Sequence, residues 1–407
     1  MSVAKKFLVE EGKETCFGCE ACLQSCPQNA IRMEEDHEGF RYPFVDSEEC
    51  IECGLCEKIC PYGNPPAKNM NDKYVFGGYH LNPSVRFEST SGGAFSAIVD
   101  VFCDENYVIF GAKADGLNVY HTFITDKTEL SAFRKSKYSQ SIIGNSYKQA
   151  KQFLREGKKV LFSGTPCQMA GLKTFLGKTN QKNLLTVEVI CEGVPSPLYV
   201  RKLEKSLQSK YGSKIKSYDY RYTGKAFFQK GKWDFEQTKI ILENKRTIIK
   251  DRWFNPFWSI WLKHLMSRPS CYECPFTTQE RGADITLGDL WGVHFYCPEL
   301  YGGNGGSSLV IANTHKGKEV VMAAQQHMYG LELKFVDALK FQGPMRKSIG
   351  KNEFREECMR DLQSDMSYNE INAKWATCPS LKLLYQKYIW GNRQKIWWLN
   401  VKQKIKK

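Results

Sequence analysis

Two copies of one cysteine pattern, within residues 16–61, constrain this chain more than any other feature. Each run reads C-x2-C-x2-C-x3-C-P. Such a repeat binds two [4Fe–4S] clusters, and the fourth cysteine of each run ligates the cluster of the other run. The spacing therefore predicts two ligand sets: the Cys16 set (Cys16, Cys19, Cys22 and Cys60) and the Cys50 set (Cys50, Cys53, Cys56 and Cys26).

The alternatives for these cysteines are structural zinc and disulfides. Zinc sites use two C-x2-C pairs instead of two runs of four, so the spacing favours clusters. Short strands at residues 30–33 and 40–45 flank a turn, and residues 64–69 form a Pro/Asn-rich linker. This stretch resembles a bacterial two-cluster ferredoxin, which predicts that the chain transfers single electrons.

The charge of the chain is unevenly distributed. The whole sequence of 407 residues has a formal net charge of +14, whereas residues 1–70 contain 7 Lys+Arg and 13 Asp+Glu. An acidic ferredoxin domain therefore precedes a basic body. The body carries no nucleic-acid-binding motif, so we expect no nucleic-acid partner. A nucleotide cofactor, an anionic substrate or an anionic membrane surface fits the basic charge better.

Cysteine usage and hydropathy predict the compartment. The chain has 16 cysteines, and neither a leader sequence nor an apolar run of about 18 residues is apparent. Cysteines in that context indicate metal ligation in a reducing cytoplasm, and not a disulfide framework.

Beyond the linker, the pattern is that of an α/β body. A strand at residues 74–81 leads to Ser91-Gly92-Gly93 and a helix over residues 94–102. Glycines before a helix let backbone N–H groups approach an anion. A Ser/Thr cap with a glycine turn explains the same residues, and the sequence leaves both interpretations open. The cationic loop at residues 133–141 is a weak signal on its own.

Four further cysteines stand at positions suited to ligands. Cys167 follows the strand at residues 159–164, Cys191 follows the strand at residues 184–190, and Cys271 and Cys274 form a C-x2-C-P. Ligands in α/β folds bind at the carboxyl ends of strands. Buried free thiols are also common. The spacing alone leaves a third cluster and ordinary thiols equally open.

Six motifs in series resemble the coenzyme F420 hydrogenase/dehydrogenase beta-subunit family. They cover roughly residues 74–315: Ser-Thr-Ser-Gly-Gly (89–93), Lys-Tyr-Ser-Gln-Ser (137–141), Gly-Thr-Pro-Cys-Gln (164–168), Cys-Glu-Gly-Val (191–194), Cys-x2-Cys-Pro (271–275) and Ala-Asp-Ile-x2-Gly-Asp-x-Trp-Gly (283–292). The family includes versions with an N-terminal two-cluster ferredoxin, as in this chain.

The resemblance implies a third [4Fe–4S] cluster and an FAD in the body. It implies as cluster ligands the inner set, Cys167, Cys191, Cys271 and Cys274. It implies as FAD contacts Ser91, Gly92, Gly93, Lys137, Tyr138, Gln140, Ser141, Thr165, Gln168 and Asp289. The resemblance does not fix the substrate, which is coenzyme F420 or another two-electron acceptor, and no catalytic residue is assigned.

The predicted fold class is a multidomain α+β and α/β protein, with a small two-cluster ferredoxin domain followed by an α/β flavin-binding body. The predicted boundaries are 1–68 for the ferredoxin domain, 72–156 and 157–345 for the N- and C-terminal domains of the family, and 346–407 for a basic helical extension. Residues 381–407 carry lysines, arginines and tryptophans without an acid. They suit either a solvated helix or peripheral contact with an anionic membrane.

The predicted function is an iron–sulfur flavoprotein oxidoreductase that exchanges electrons with a redox partner protein or ferredoxin. A non-catalytic electron-transfer subunit of a larger enzyme is the main alternative. A reductase serving polysaccharide biosynthesis at the membrane face is a further one, based on the basic tail alone.

Overall fold

The computed structural model describes residues 12–69, 73–222, 237–251, 255–301, 305–385 and 401. The basic tail at residues 381–407, for which a solvated helix and membrane contact were both considered, lies outside the described residues apart from 381–385 and 401. Residues 252–254 and 302–304 also lie outside them.

The N-terminal domain is a small ferredoxin-like unit. Its elements are α1 (Ala21–Ser25), β1 (Ile31–Glu35), β2 (Arg41–Val45) and α2 (Leu55–Lys58). The two strands pair antiparallel from Ile31 opposite Val45 to Glu35 opposite Arg41. Each helix follows a cysteine loop, and a residue with positive φ precedes each of them, Glu20 at 61° and Gly54 at 69°. The hairpin predicted between the cysteine runs is therefore confirmed.

An eight-stranded mixed sheet forms the centre of the body, in the order β13-β3-β12-β11-β7-β6-β4-β5. Four strands, β4, β6, β7 and β11, run parallel, while β12 and β5 are antiparallel to their neighbours. The strands are β3 (Tyr74–His80), β4 (Tyr107–Asp115), β5 (Asn118–Ile124), β6 (Lys159–Gly164), β7 (Leu184–Val189), β11 (Ile285–Asp289), β12 (Ser308–Ala312) and β13 (Met328–Glu332).

Helices cover both faces of this sheet. The central strands are apolar runs buried on both sides, as in Val160-Leu161-Phe162 of β6, which parallel strands between two helix layers require. Two helices pack on one face, α4 (Ala94–Phe102) and α10 (His315–Ala324). Two others pack on the opposite face, α5 (Ser146–Arg155) and α6 (Pro166–Leu176). The short helices α3 (Pro83–Ser89), α9 (Val293–Tyr296) and α11 (Phe335–Leu339) complete this part of the body.

A second, three-stranded sheet was not predicted from the sequence. Its strands are β8 (Ile215–Tyr222), β9 (Gln237–Leu242) and β10 (Thr247–Asp251). It packs with the helices α7 (Leu198–Tyr211), α8 (Pro256–Trp261), α12 (Arg355–Gln363) and α13 (Tyr368–Trp375), and α14 (Leu381–Tyr385) follows. Phe257, Trp258 and Trp261 of α8 are buried in the core of this part of the body.

The ferredoxin domain is fixed to the body by buried polar contacts. The Gln24 side-chain oxygen accepts hydrogen bonds from the backbone N–H groups of Tyr147 (3.0 Å) and Lys148 (3.1 Å), at the start of α5. Glu38 forms a buried ion pair with Arg355 of α12, at 2.6 and 2.8 Å. These bonds connect two separate parts of the ferredoxin domain to the body. Within the described residues, no helix has the length and apolar character needed to cross a membrane.

Candidate electron-transfer site

The cysteines of the ferredoxin domain group as the cross-ligation rule predicts. Cys16, Cys19, Cys22 and Cys60 line one cavity. Cys50, Cys53, Cys56 and Cys26 line another. In each set three thiols come from one loop and the fourth comes from the other run, because the hairpin brings the two runs side by side.

The inner set also lines a single cavity, although its members are far apart in sequence. Cys167 lies in the first turn of α6, and Cys191 follows β7 by two residues. Because β6 and β7 are adjacent and parallel, both cysteines emerge at the same edge of the sheet. The turn at residues 271–274 brings Cys271 and Cys274 to the same cavity.

The chemistry of each set suits a cluster. Burial, followed by the charges of Cys271 and Cys167, raises the pKa of the Cys191 thiol well above its ordinary value. The pKa of Cys271 rises to about 11 for the same first reason. Grouped thiolates need a positively charged centre to balance them, and iron supplies it. Among the described residues, no three His, Cys, Asp or Glu side chains converge as they do around a single ion. A [4Fe–4S] cubane binds its four cysteines at four separate iron atoms, so its ligands lie farther apart than the ligands of a single ion.

The cavities of the Cys16 set and the inner set are direct neighbours. Phe17 lines both of them and packs edge-on against Phe276 with ring centroids 5.0 Å apart. Helix α6 also touches both sets. Cys167 belongs to the inner set, and a Cβ atom added at Gly171 would lie 3.0 Å from the Cys19 sulfur. Residues four apart lie one above the other on a helix, about 6 Å apart, so one helical turn connects the two sets.

Arg268 is a buried cation between the same two sets. Its guanidinium donates to the backbone oxygen of Cys16 (2.9 Å), the backbone oxygen of Arg41 (3.0 Å) and the side-chain oxygen of Gln140 (3.0 Å). It lies 3.8 Å from the Cys16 sulfur and lines the cavity of the inner set. Its side chain is 1% exposed. Its charge therefore acts on both cysteine sets with little solvent screening.

One group of predicted FAD contacts surrounds Arg221. This buried guanidinium donates to an Asp289 carboxylate oxygen (2.8 Å) and to the Ser91 hydroxyl (3.3 Å). Gly92 and Gly93 adopt φ of 90° and 91°, and a Cβ atom at Gly92 would meet the backbone nitrogen of Ser308 at 2.5 Å. Close packing against β12 thus explains why residue 92 is a glycine. Gly93 is the N-cap residue of α4 and has no side chain that could accept a hydrogen bond there.

The loop containing Lys137 lies beside the first turn of α4. Lys137 donates to the backbone oxygens of Arg134 (2.7 Å) and Ala132 (3.1 Å), and Arg134 donates to the Ser96 hydroxyl (3.2 Å). Burial, followed by the nearby charge of Lys135, lowers the pKa of Lys137 to about 7. An anion beside this ammonium would stabilise its charged form.

The side chains of the other predicted FAD contacts bond to or pack against groups of the protein itself. Gln140 donates to the backbone oxygen of Phe17 (2.8 Å) and so joins the body to the ferredoxin domain. Gln168 donates to the Ser141 hydroxyl (2.9 Å) and forms a capping box with Thr165 at the start of α6. Tyr138 packs edge-on against Trp258 and Trp261 of α8.

Sequence reasoning did not find Arg221, Arg268 or Phe17. Each arginine acts through contacts with residues far away in sequence, so local spacing carries no signal for them. Phe17 stands between Cys16 and Gly18 in the first cysteine run. Its position inside the run is the one feature that could have pointed to a neighbouring cluster.

Comparisons with known proteins agree with this division of the chain. A family model described as "4Fe-4S dicluster domain" matches residues 15–64. A second family model, which describes the C terminus of the beta subunit of coenzyme F420 hydrogenase/dehydrogenase, matches residues 157–337. The dicluster match supports two [4Fe–4S] clusters in the N-terminal domain.

Similar curated proteins share short segments with this chain. A ferredoxin of Mycolicibacterium smegmatis is 38% identical over 42 residues, which are 10% of this chain and 35% of that protein. One component of the anaerobic dimethyl sulfoxide reductase of Escherichia coli (strain K12) is 43% identical over 53 residues, 12% of this chain and 24% of that protein. The chain thus spans about a third or less of the length of these relatives.

A solved structure, the F420-reducing [NiFe] hydrogenase complex from Methanosarcina barkeri, contains a chain that is 15% identical, with a TM-score of 0.42. The match covers 76% of this chain and 92% of that one. The two family models, in the order of the domains described above, thus assign residues 15–64 to the 4Fe–4S dicluster domain family and residues 157–337 to the C-terminal domain of the coenzyme F420 hydrogenase/dehydrogenase beta-subunit family.

Proposed function

We propose that this iron–sulfur protein is a flavoprotein oxidoreductase that passes electrons between a two-electron substrate and a one-electron carrier. The observation that supports this most is the contact between the inner set and the Cys16 set, through Phe17 and one turn of α6. Electron transfer requires closely spaced centres, and this contact joins the body to the ferredoxin domain.

A third [4Fe–4S] cluster on the inner set is part of this proposal. Four thiols around one cavity, with a cation beside them, form a complete cubane donor set. The neighbouring strand ends fix Cys167 and Cys191, and the rigid turn at residues 271–274 supplies the remaining pair.

An FAD bound in the body is also part of the proposal. When bound, it would accept two electrons from the substrate or donate two electrons to it, and it would exchange single electrons with the clusters. The residues best placed to hold its phosphates are Gly93 at the start of α4 and Lys137 in the adjacent loop. Arg221 orients Ser91 and Asp289. The side chains of the other predicted contacts already bond to or pack against protein groups. We therefore expect these residues to assist FAD binding through their backbone groups or through the shape of the pocket: Tyr138, Gln140, Ser141, Thr165 and Gln168.

The substrate class follows from charge. The basic body favours an anionic compound, and coenzyme F420 is the candidate suggested by the family. The abundance of free thiols suits a reducing cytoplasm.

The metal content tests the cluster proposal. Three cubanes require about 12 iron and 12 acid-labile sulfide per chain after anaerobic reconstitution. Flavin is measured on the same sample, and coenzyme F420 and other two-electron donors are screened for bleaching of flavin absorbance. Iron that saturates near eight per chain would remove the inner cluster.

A cysteine substitution tests the electron path. In Cys191→Ser we expect bound FAD that is still reduced by the donor, while the ferredoxin clusters stay oxidised in stopped-flow absorbance. Cys358→Ser is the matched control, because Cys358 is buried in a core away from the three sets. Transfer at the wild-type rate in Cys191→Ser would contradict the path.

A non-catalytic electron-transfer subunit remains the second candidate. It is favoured by the similarity of a short segment to a protein named as one component of a reductase. A preparation that contains its iron but no flavin, and that turns over no two-electron donor, would favour this alternative.

A further inference from the structure

The Cys50 set faces outward at the end of the ferredoxin domain. Cys53 is exposed, unlike the cysteines of the Cys16 and inner sets, which are buried or partly buried. The Cys16 set shares Phe17 with the inner set, whereas no residue lining the cavity of the Cys50 set lines either of the other two. Of the three cysteine sets, the Cys50 set is therefore the one that another protein can approach most closely.

The surface beside Cys53 combines an apolar centre with an acidic rim. Ile51 is 60% exposed and Leu55 is 40% exposed. Three glutamates next to them are also exposed: Glu48, Glu49 and Glu52. We call these residues, with Cys53, the Cys53 face. Exposed apolar side chains surrounded by charges are a common arrangement at protein interfaces.

We propose that the Cys53 face is the docking site for a one-electron carrier protein with a cationic surface around its own redox centre. The proposal rests on the function proposed above, because it needs a cluster on the Cys50 set. One electron crosses between that cluster and the carrier, so one centre is oxidised and the other reduced. No bond or proton is exchanged.

Charge complementarity selects the partner. The glutamates attract a cationic surface and accelerate encounter, while the small apolar centre allows rapid release. Small interfaces of this kind are typical of transient electron-transfer complexes. The basic body of a second copy of this chain is a competing occupant, and the experiment distinguishes it.

The test uses reduced holoprotein and ferricytochrome c, a small basic haem protein, as the probe. Stopped-flow absorbance follows haem reduction over a range of ionic strength. We expect the wild-type rate to fall as salt increases. In Glu48→Lys/Glu49→Lys we expect a rate at least tenfold lower at low ionic strength and a weaker dependence on salt.

Two controls separate local from global charge. Glu319→Lys/Glu332→Lys makes the same change in net charge at exposed positions of the body, and we expect a rate within about twofold of wild type. Ferricyanide, an anionic oxidant, should react faster with the Glu48→Lys/Glu49→Lys variant than with wild type.

Three outcomes would overturn the proposal. Equal cytochrome c rates in the two double variants would show that docking does not use this face. A concentration-dependent dimer in analytical ultracentrifugation, lost in Glu48→Lys/Glu49→Lys, would assign the face to a second copy. Wild-type protein without iron in the ferredoxin domain would remove the proposed function as well, whereas the first two outcomes, with iron and flavin intact, remove the docking site alone.

Discussion

At the scale of single residues, the buried guanidinium of Arg268 connects two parts of the chain that spacing alone does not relate. It donates hydrogen bonds to the backbone oxygens of Cys16 and Arg41 in the ferredoxin domain and to the side-chain oxygen of Gln140 in the body. Burial raises the pKa of the Cys167 and Cys271 thiols, and the charge of Arg268 opposes part of that rise. The same charge would favour the reduced, more negative state of a cluster on either set.

Arg268→Met should therefore lower the midpoint potentials of the cluster on the Cys16 set and of the cluster proposed for the inner set. EPR-monitored redox titration measures this, and Arg268→Lys, which keeps the charge but not the planar fork, should shift them less. The Met variant also leaves buried acceptors unpaired, at a cost of about 1–3 kcal/mol each. Unchanged potentials in Arg268→Met would contradict an electrostatic role.

His121 should make stability depend on pH. Burial lowers its pKa to about 4, and its ring nitrogen lies 2.9 Å from the backbone oxygen of Ser163. An unfolded histidine binds a proton below about pH 6.5. Between these values the unfolded state binds more protons, so the free energy of unfolding falls as pH falls, by on the order of 2 kcal/mol from pH 6.5 to 5.

Anaerobic urea denaturation at pH 7 and pH 5 checks this prediction. His121→Gln should lose the part of the wild-type pH dependence that comes from this histidine, on the order of 2 kcal/mol between pH 6.5 and 5. His315→Gln, which changes an exposed histidine, is the control and should keep it. Identical pH profiles for all three proteins would exclude His121 as the source.

At the scale of elements, α6 has a glycine where helix propensity alone would favour alanine. Alanine normally stabilises a helix interior by about 1 kcal/mol relative to glycine. At Gly171, however, a Cβ atom would lie 3.0 Å from the Cys19 sulfur and 3.1 Å from the Tyr147 hydroxyl. Contact with the ferredoxin domain therefore outweighs propensity at this position.

Gly171→Ala should destabilise the protein by about 1–3 kcal/mol, because the overpacked contact has to move. It should also perturb the EPR spectrum of the cluster on the Cys16 set. Gly350→Ala is a suitable control, since no atom lies within 4 Å of a Cβ placed there. A stabilised Gly171→Ala protein with a wild-type spectrum would show that α6 and Cys19 are not in tight contact.

At the scale of the whole molecule, several polar contacts hold the ferredoxin domain on the body, among them those of Gln24 with α5 and of Glu38 with α12. The Glu38–Arg355 ion pair is buried, with side chains 8% and 3% exposed. Breaking a buried pair costs about 3–5 kcal/mol, and here Glu356, 3.4 Å from the Arg355 guanidinium, reduces that cost. We therefore expect this pair to contribute to the orientation of the domain, and hence to the spacing between the Cys16 set and the inner set.

Glu38→Gln should therefore increase hydrogen exchange in the ferredoxin domain and slow electron transfer from the body, with the iron content retained. Glu35→Gln, which breaks an exposed pair with Arg201, should cost no more than about 1 kcal/mol and leave both unchanged. Equal exchange in the two variants would mean that other contacts fix the domain.

The sequence by itself determined those features that local spacing encodes. The two cysteine runs predicted how eight thiols divide into two sets, because loop length and the exchanged fourth ligand are properties of a short segment. Apolar runs followed by turns predicted β6 and β7, and Ala94–Phe102 is the helix expected.

Tertiary structure decided what long-range contacts control. Cys167, Cys191 and the pair at 271–274 meet only because parallel strands place their ends together. The partners of Arg268 lie in segments distant from it in sequence, and the contact of Gly171 with Cys19 depends on docking of the ferredoxin domain. These features arise from packing between separate elements. The residue pattern within a single element therefore does not predict them.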